Sequence, residues 1–205
     1  MGWSDFCNAE RDVFARPTSA APLAAVAIPS VSASEKEVRR DETFATLYEE
    51  LKKADPRDVS VKVLTHMIGL VAPNEAIILR HLVEAMNGIG MDVLPASPIA
   101  ATLRFADSQL GLRKIGEREI NKIKEALVRP IGVCNIAVRL TRQEIGGKGK
   151  IEVPSIMSRY LHARDLYAEL DRRVKTGIPV SPALKARLLP AGQTAEVAEA
   201  NTVKL

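Results

Sequence analysis

The chain has 205 residues, of which 46% are hydrophobic and 26% are charged, and these proportions are typical of a globular domain of ordinary size. No apolar run reaches the roughly 18 to 20 residues that a membrane-spanning helix needs, and Asp5, Glu10 and Asp12 stand where a secretory signal would be basic. Composition therefore argues against a membrane-spanning or secreted protein. Cys7 and Cys134, far apart in sequence, are expected to be free thiols in a reducing, cytoplasmic environment.

The net charge of +4 is unevenly distributed along the chain. Residues 1–96 carry 10 basic and 14 acidic side chains, whereas residues 97–175 carry 16 basic and 9 acidic ones. Such asymmetry is typical of a protein with one face that meets a polyanion. Ordinary variation of surface charge explains it equally well, so both interpretations stay open.

Both ends of the chain are predicted to be flexible. Residues 15–36 are rich in Ala, Ser and Pro and offer too little apolar surface to offset their ordering entropy. We therefore expect a flexible arm over residues 1–39. Three prolines follow Gly177, so we expect a C-terminal tail over 177–205 with at most a short helix at 183–189. The folded domain is predicted to span residues 40–176.

The first half of this domain is predicted to contain three helices in series. Asp41 can cap a helix with an apolar face, and Asp55 followed by Pro56 begins a second helix that ends before Pro73. Asn74 can cap a third, which Gly88 and Gly90 end. The apolar residues of the first helix fall at i, i+3, i+4 and i+7, and they are Phe44, Leu47, Tyr48 and Leu51. Short turns between the helices favour antiparallel packing.

The second half is predicted to contain a β-hairpin between helices. One helix is expected to begin at Ser97 and to continue through Phe105, with its extension to Leu110 left open, and another is expected from Glu117 to Val128, with Pro130 ending it. Apolar residues then alternate from 131 to 141, the period of a half-buried strand, and a glycine-rich turn over 144–150 leads to a second strand at 151–153. A long helix begins at Ser155. The predicted fold is mainly α, a helical bundle with a two-stranded hairpin at 131–153.

The order helix, helix, strand, glycine-rich basic turn, strand between Pro98 and Val153 resembles the winged helix-turn-helix family. In that family the second helix enters the major groove and the hairpin tip touches the backbone. The resemblance implies a non-enzymatic, DNA-binding protein, a regulator or a replication or partition factor, with DNA or RNA as partner. The implied contacts are Arg118, Asn121, Lys122 and Lys124 on the helix and Arg142, Lys148 and Lys150 on the wing.

Other interpretations of the same segments remain open. A helix surface with mixed Glu and Lys is usually only solvated, and the hairpin can equally be a plain exposed turn. A different class of function is a self-assembling structural subunit of capsid, nucleocapsid or filament type with mobile arms. It is suggested by a heptad-like apolar stripe that would form a homo-oligomer interface, made of Ile156, Tyr160, Tyr167, Leu170 and Val174. The alternative is that this stripe packs on its own domain.

No motif predicts catalysis, a metal, a cofactor or a small-molecule substrate. His66, His81 and His162 lie in separate predicted helices without partners at metal-ligand spacing. The segment Gly146 to Lys150 lacks the spacing of a phosphate-binding loop and the helix that follows one.

Overall fold

The computed structural model describes residues 33–54, 57–147 and 151–189. Over these residues the chain is mainly helical, which confirms the predicted fold class. The elements in chain order are α1 (Ala33–Lys53), β1 (Val59–Ser60), α2 (Val61–Ile68), α3 (Pro73–Gly88), β2 (Val93–Leu94), α4 (Ser97–Leu110), α5 (Glu117–Glu144), α6 (Ser155–Thr176) and α7 (Pro182–Leu188). None of these helices is long and apolar enough to cross a membrane.

The core is largely aliphatic and is organised around α5 and α6. Helix α5 packs against α3, α4 and α6, and α6 also packs against α1 and α4. The predicted apolar face of α1 is confirmed in part, since Phe44, Tyr48 and Leu51 are buried while Leu47 is only partly buried. Removing this apolar surface from water supplies the main driving force for folding.

The two-stranded sheet is formed by β1, which precedes α2, and β2, which follows α3. Strands β1 and β2 are antiparallel, with Val59 opposite Leu94 and Ser60 opposite Val93. Val59 and Leu94 are buried. The Ser60 hydroxyl accepts a hydrogen bond from the Val63 amide at 3.3 Å and so caps α2.

The predicted hairpin at 131–153 is wrong, because residues 131–144 continue α5 through Pro130. The buried residues of this half are Ile131, Val133, Cys134, Ala137 and Thr141, which follow a helical rather than a two-residue period. Apolar side chains on both flanks of this helical face produce the apparent alternation. A proline inside a helix costs about 3 kcal/mol, and the burial of Pro130 and Ile131 on the packed side of α5 offsets that cost.

The folded domain extends beyond the predicted limits of 40–176 at both ends. Helix α1 begins at Ala33, inside the predicted arm. After α6, Val180, Leu184 and Leu188 are buried and α7 packs against α1, so much of the predicted tail belongs to the core. The Ser181 hydroxyl caps α7 by accepting from the Leu184 amide at 3.3 Å. The rest of both predicted ends, residues 1–32 and 190–205, lies outside the described residues.

Candidate nucleic-acid interface

The exposed side of α5 carries a row of basic side chains. Its opposite side, which includes Ile123, Leu127 and Ile131, is buried against the rest of the domain. At about 100° of rotation per residue, the exposed basic residues occupy about 160° of the helix circumference. We call this surface the basic face of α5, and it comprises Arg118, Lys122, Lys124, Arg129, Arg139 and Arg142, with Asn121 between them.

The acidic residues of α5 dilute this face less than the sequence implies. Glu119 lies 3.6 Å from Nε of Arg104 and 3.8 Å from Nη2 of Arg113, both outside α5. Glu144 accepts two hydrogen bonds from Nη2 of Arg80, at 2.7 and 2.6 Å. Glu117 lies in the first turn, where a carboxylate interacts favourably with the helix dipole. Glu125 is the remaining carboxylate on the exposed side.

The basic side chains of this face have few polar contacts within the described part of the domain. Within residues 33–54, 57–147 and 151–189, none of the basic residues of this face forms an ion pair. Arg129 is the one that makes a protein hydrogen bond there, from Nη2 to the carbonyl oxygen of Ile89 at 3.0 Å. The guanidinium and ammonium groups are therefore available to an external anion.

The structure brings together only part of the predicted nucleic-acid-binding set. Arg118, Asn121, Lys122 and Lys124 are all exposed on the first two turns of α5, as predicted. Arg142 is also exposed, but it lies on the same helix about 24 residues further on, or about 36 Å at 1.5 Å per residue. The predicted wing residues Lys148 and Lys150 lie outside the described residues. A separate recognition helix and hairpin wing is thus replaced by one long helix.

Sequence reasoning missed two members of the basic face. The predicted strand contains Arg139, and the predicted helix ends at Val128, immediately before Arg129. The signal that finds them is the helical spacing itself, because Arg129 follows Lys122 by seven residues and therefore lies on the same side of a helix.

The predicted oligomer stripe on α6 packs mostly on its own domain. Tyr160 and Leu170 are fully buried, so their prediction as interface residues is wrong. The Tyr160 hydroxyl donates to the carbonyl oxygen of Pro95 at 2.9 Å, and Tyr167 lies against Phe105 with 5.6 Å between ring centroids. Ile156 is partly buried, and Val174 remains 50% exposed.

The basic residues of α6 contrast with those of α5, because each is engaged within the domain. The Arg173 side chain is 1% exposed and lies 2.7 Å from Oδ1 of Asp41 and 2.8 Å from Oε1 of Glu169. Arg172 bridges Glu169 at 2.6 Å and Glu37 at 2.9 Å. Burial alone would raise the pKa of Glu169, but the hydrogen bonds and charges of the two arginines outweigh it and lower that pKa.

Two of the histidines, His81 and His162, lie beside carboxylates. His81 lies between Glu84 and Glu144, 3.0 and 2.7 Å from its two ring nitrogens, and Nδ1 of His162 lies 3.1 Å from Glu50. In the part of the chain that the structure describes, no group of three or more His, Cys, Asp or Glu residues could hold a metal ion. Burial raises the pKa of Cys134 to about 12, which keeps it a neutral thiol near neutral pH.

The clefts between α1 and α6 are open and lined by mixed charges. One, of about 360 Å³, has Glu50, Lys53 and His162 on its walls. The other, of about 420 Å³, is lined by Arg40 on one helix and by Asp165 and Glu169 on the other. Both clefts are open to solvent, unlike the enclosed pockets that bury most of the surface of a small-molecule ligand.

Comparison with known proteins found no matching family model, no similar curated protein and no similar solved structure.

Proposed function

We propose that the protein is a non-enzymatic nucleic-acid-binding protein and that the basic face of α5 is its binding surface. The observation that carries the proposal is that these basic side chains have no carboxylate partner among the described residues, although other arginines of the domain do. Leaving several like charges unpaired along one helix is unfavourable in the free protein because they repel one another. A polyanion removes that repulsion.

The expected driving force is the release of counterions from the nucleic acid. Each Lys or Arg that neutralises a phosphate releases counterions, so affinity falls steeply as salt concentration rises. The basic face extends over about 36 Å, or about ten base pairs of duplex at 3.4 Å per step. One helix can therefore contact several phosphates at once, and this contact does not require the hairpin predicted from the sequence.

The proposal can be tested by neutralising part of the face. Lys122→Gln with Lys124→Gln removes two charges from α5, and Lys62→Gln with Lys185→Gln removes two from α2 and α7 as a matched control. Lys62 and Lys185 have no ion pair among the described residues, so both double variants should fold. Affinity for labelled nucleic acid would be measured by fluorescence anisotropy at several salt concentrations.

We expect the α5 variant to bind more weakly. The slope of the logarithm of its affinity against the logarithm of salt concentration should be smaller in magnitude by about 1.8, or 0.9 per lost phosphate contact. The control should bind like the unmodified protein. Equal binding by the two variants would contradict the proposal.

A second candidate function is that of a self-assembling structural subunit. The observation that favours it is an exposed apolar row on α2 and the turn after it, where Val63 is 50% and Leu70 is 72% exposed. Met67, between them at helical spacing, is partly buried. Apolar side chains in such a row are typical of surfaces that pack against another protein.

Sedimentation velocity over a range of concentrations tests this second candidate. A subunit that assembles through this row should form larger species as concentration rises, and Val63→Lys with Leu70→Lys should return it to a monomer. Val174→Lys, at an equally exposed valine on α6, is the control. A monomer at every concentration would exclude assembly through α2.

A further inference from the structure

Among the residues that the structure describes, no exposed aromatic side chain flanks the basic face on which an unstacked base could stack. The aromatic side chains among the described residues are Phe44, Tyr48, Phe105, Tyr160 and Tyr167. The first four are at most 2% exposed, and Tyr167 lies against Phe105. None of the five belongs to α5. In the described part of the chain, the basic face is therefore flanked by no exposed aromatic ring.

This lack of aromatic rings disfavours a single strand as the ligand. Proteins that bind single strands gain about 1 to 3 kcal/mol per base by stacking bases on aromatic side chains. Without that gain, the entropy lost when a flexible strand aligns with a row of fixed charges is not offset. A duplex avoids this cost because its persistence length, about 500 Å, greatly exceeds the length of α5.

The basic residues also form two rows along the helix. At about 100° per residue, Arg118, Lys122 and Arg129 lie on one flank of the exposed side, and Lys124 and Arg142 lie on the other. An α-helix with its side chains is about 10 to 12 Å wide, close to the major-groove width of about 12 Å in B-DNA. The two rows can therefore reach phosphates on both strands. The major groove of A-form RNA is too narrow for this arrangement.

We infer that the ligand of the basic face is duplex DNA, recognised through the phosphates of both strands without preference for base sequence. The inference rests on the proposed function, because it names the ligand of the same surface. Five phosphate contacts, one for each residue of the two rows, give a slope of about −4.5 for the logarithm of affinity against the logarithm of salt concentration.

The test compares four labelled probes of equal length, about two helical turns each. They are an A·T-rich DNA duplex, a G·C-rich DNA duplex, an RNA duplex and a single strand of oligo-dT. Each is titrated with the full chain and with the Lys122→Gln, Lys124→Gln variant. We expect equal affinity for the two DNA duplexes, at least about tenfold weaker binding of oligo-dT and of RNA, and a slope near −4.5.

Two other results overturn the inference in distinguishable ways. If oligo-dT or the RNA duplex binds as tightly as duplex DNA and the α5 variant weakens that binding, the proposed function stands and the inferred ligand is wrong. If no probe binds, or the variant binds every probe as well as the unmodified protein, the proposed function itself fails and the inference fails with it.

Discussion

Helices α5 and α6 both carry several basic residues, but only those of α6 pair with carboxylates of the described domain. On α6, Arg172 and Arg173 meet carboxylates of α1 and of α6 itself, and Arg173 is almost completely buried. On α5, the basic face meets no carboxylate in the described domain. The carboxyl partner of Arg173, Asp41, is 132 positions away in sequence. Composition and local spacing therefore do not distinguish an arginine that is paired within the domain from one that can bind an external anion. The tertiary structure does distinguish them.

The largest effect is expected from Arg173→Met, which leaves the partly buried Asp41 without its arginine partner and removes one of the two arginines that pair with Glu169. Removing one member of a buried ion pair typically costs about 3 to 5 kcal/mol. We expect a loss of this size in the free energy of unfolding, measured by urea denaturation. Arg164→Met, which removes an exposed arginine paired only with its neighbour Asp165, should cost less than about 1 kcal/mol. Equal losses would mean that burial does not separate the two kinds of arginine.

A smaller effect tests whether residues 131–144 are helical. Ala137 is fully buried in the α5 interface, whereas Asn135 is exposed. Ala137→Leu should overpack this interface and cost about 1 to 3 kcal/mol, while Asn135→Leu should change the free energy of unfolding by less than about 0.5 kcal/mol. In the alternating strand predicted from the sequence, both residues would lie on the same outward side, so equal effects would support that strand instead.

The paired arginines of α6 also predict an acid-sensitive contribution to stability. The pKa of Glu169 in the folded protein lies below its ordinary value of 4.5. Its contribution is therefore complete above that ordinary pKa and is lost as pH falls through the lower folded pKa. Urea unfolding from neutral pH down to about pH 3 should show this loss. Glu169→Gln should flatten the dependence of the free energy of unfolding on pH in this range. If the variant shows the same dependence as the unmodified protein, Glu169 is not the source of the loss.

The smallest effect on stability is expected on α5. Arg139→Gln with Arg142→Gln removes two exposed charges that have no ion pair among the described residues, so the free energy of unfolding should change by less than about 0.5 kcal/mol. Nucleic-acid affinity should nevertheless fall. A loss of stability comparable to that of Arg173→Met would show that these arginines are structural, and the contrast between the two helices would disappear.

Local patterns predicted most of the helices but not where the chain forms its sheet. The spacing of Phe44, Tyr48 and Leu51 is sufficient to predict that α1 is a helix with one apolar face. By contrast, β1 and β2 are each two residues long and pair with each other although they are far apart in sequence. Strands this short show no alternation of apolar and polar residues from which they could be predicted. Pro130 misled the prediction because a proline normally ends a helix, and only tertiary packing keeps α5 continuous.

The candidate site was also predicted only where local patterns were sufficient. Arg118, Asn121, Lys122 and Lys124 were found because they lie on one short, regular stretch of helix. Arg129 and Arg139 were missed because the assumed end of that helix separated them from it. That Glu119 and Glu144 are paired with arginines of other elements follows only from the tertiary structure.

The central claim, that the basic face of α5 binds nucleic acid, is tested most directly by lysine protection. The full chain would be acylated with a lysine-reactive reagent, with and without duplex DNA, and each site quantified by mass spectrometry. We predict that DNA protects Lys122 and Lys124 and leaves the reactivity of Lys62 and Lys185 unchanged. Equal reactivity of Lys122 and Lys124 with and without DNA would contradict it.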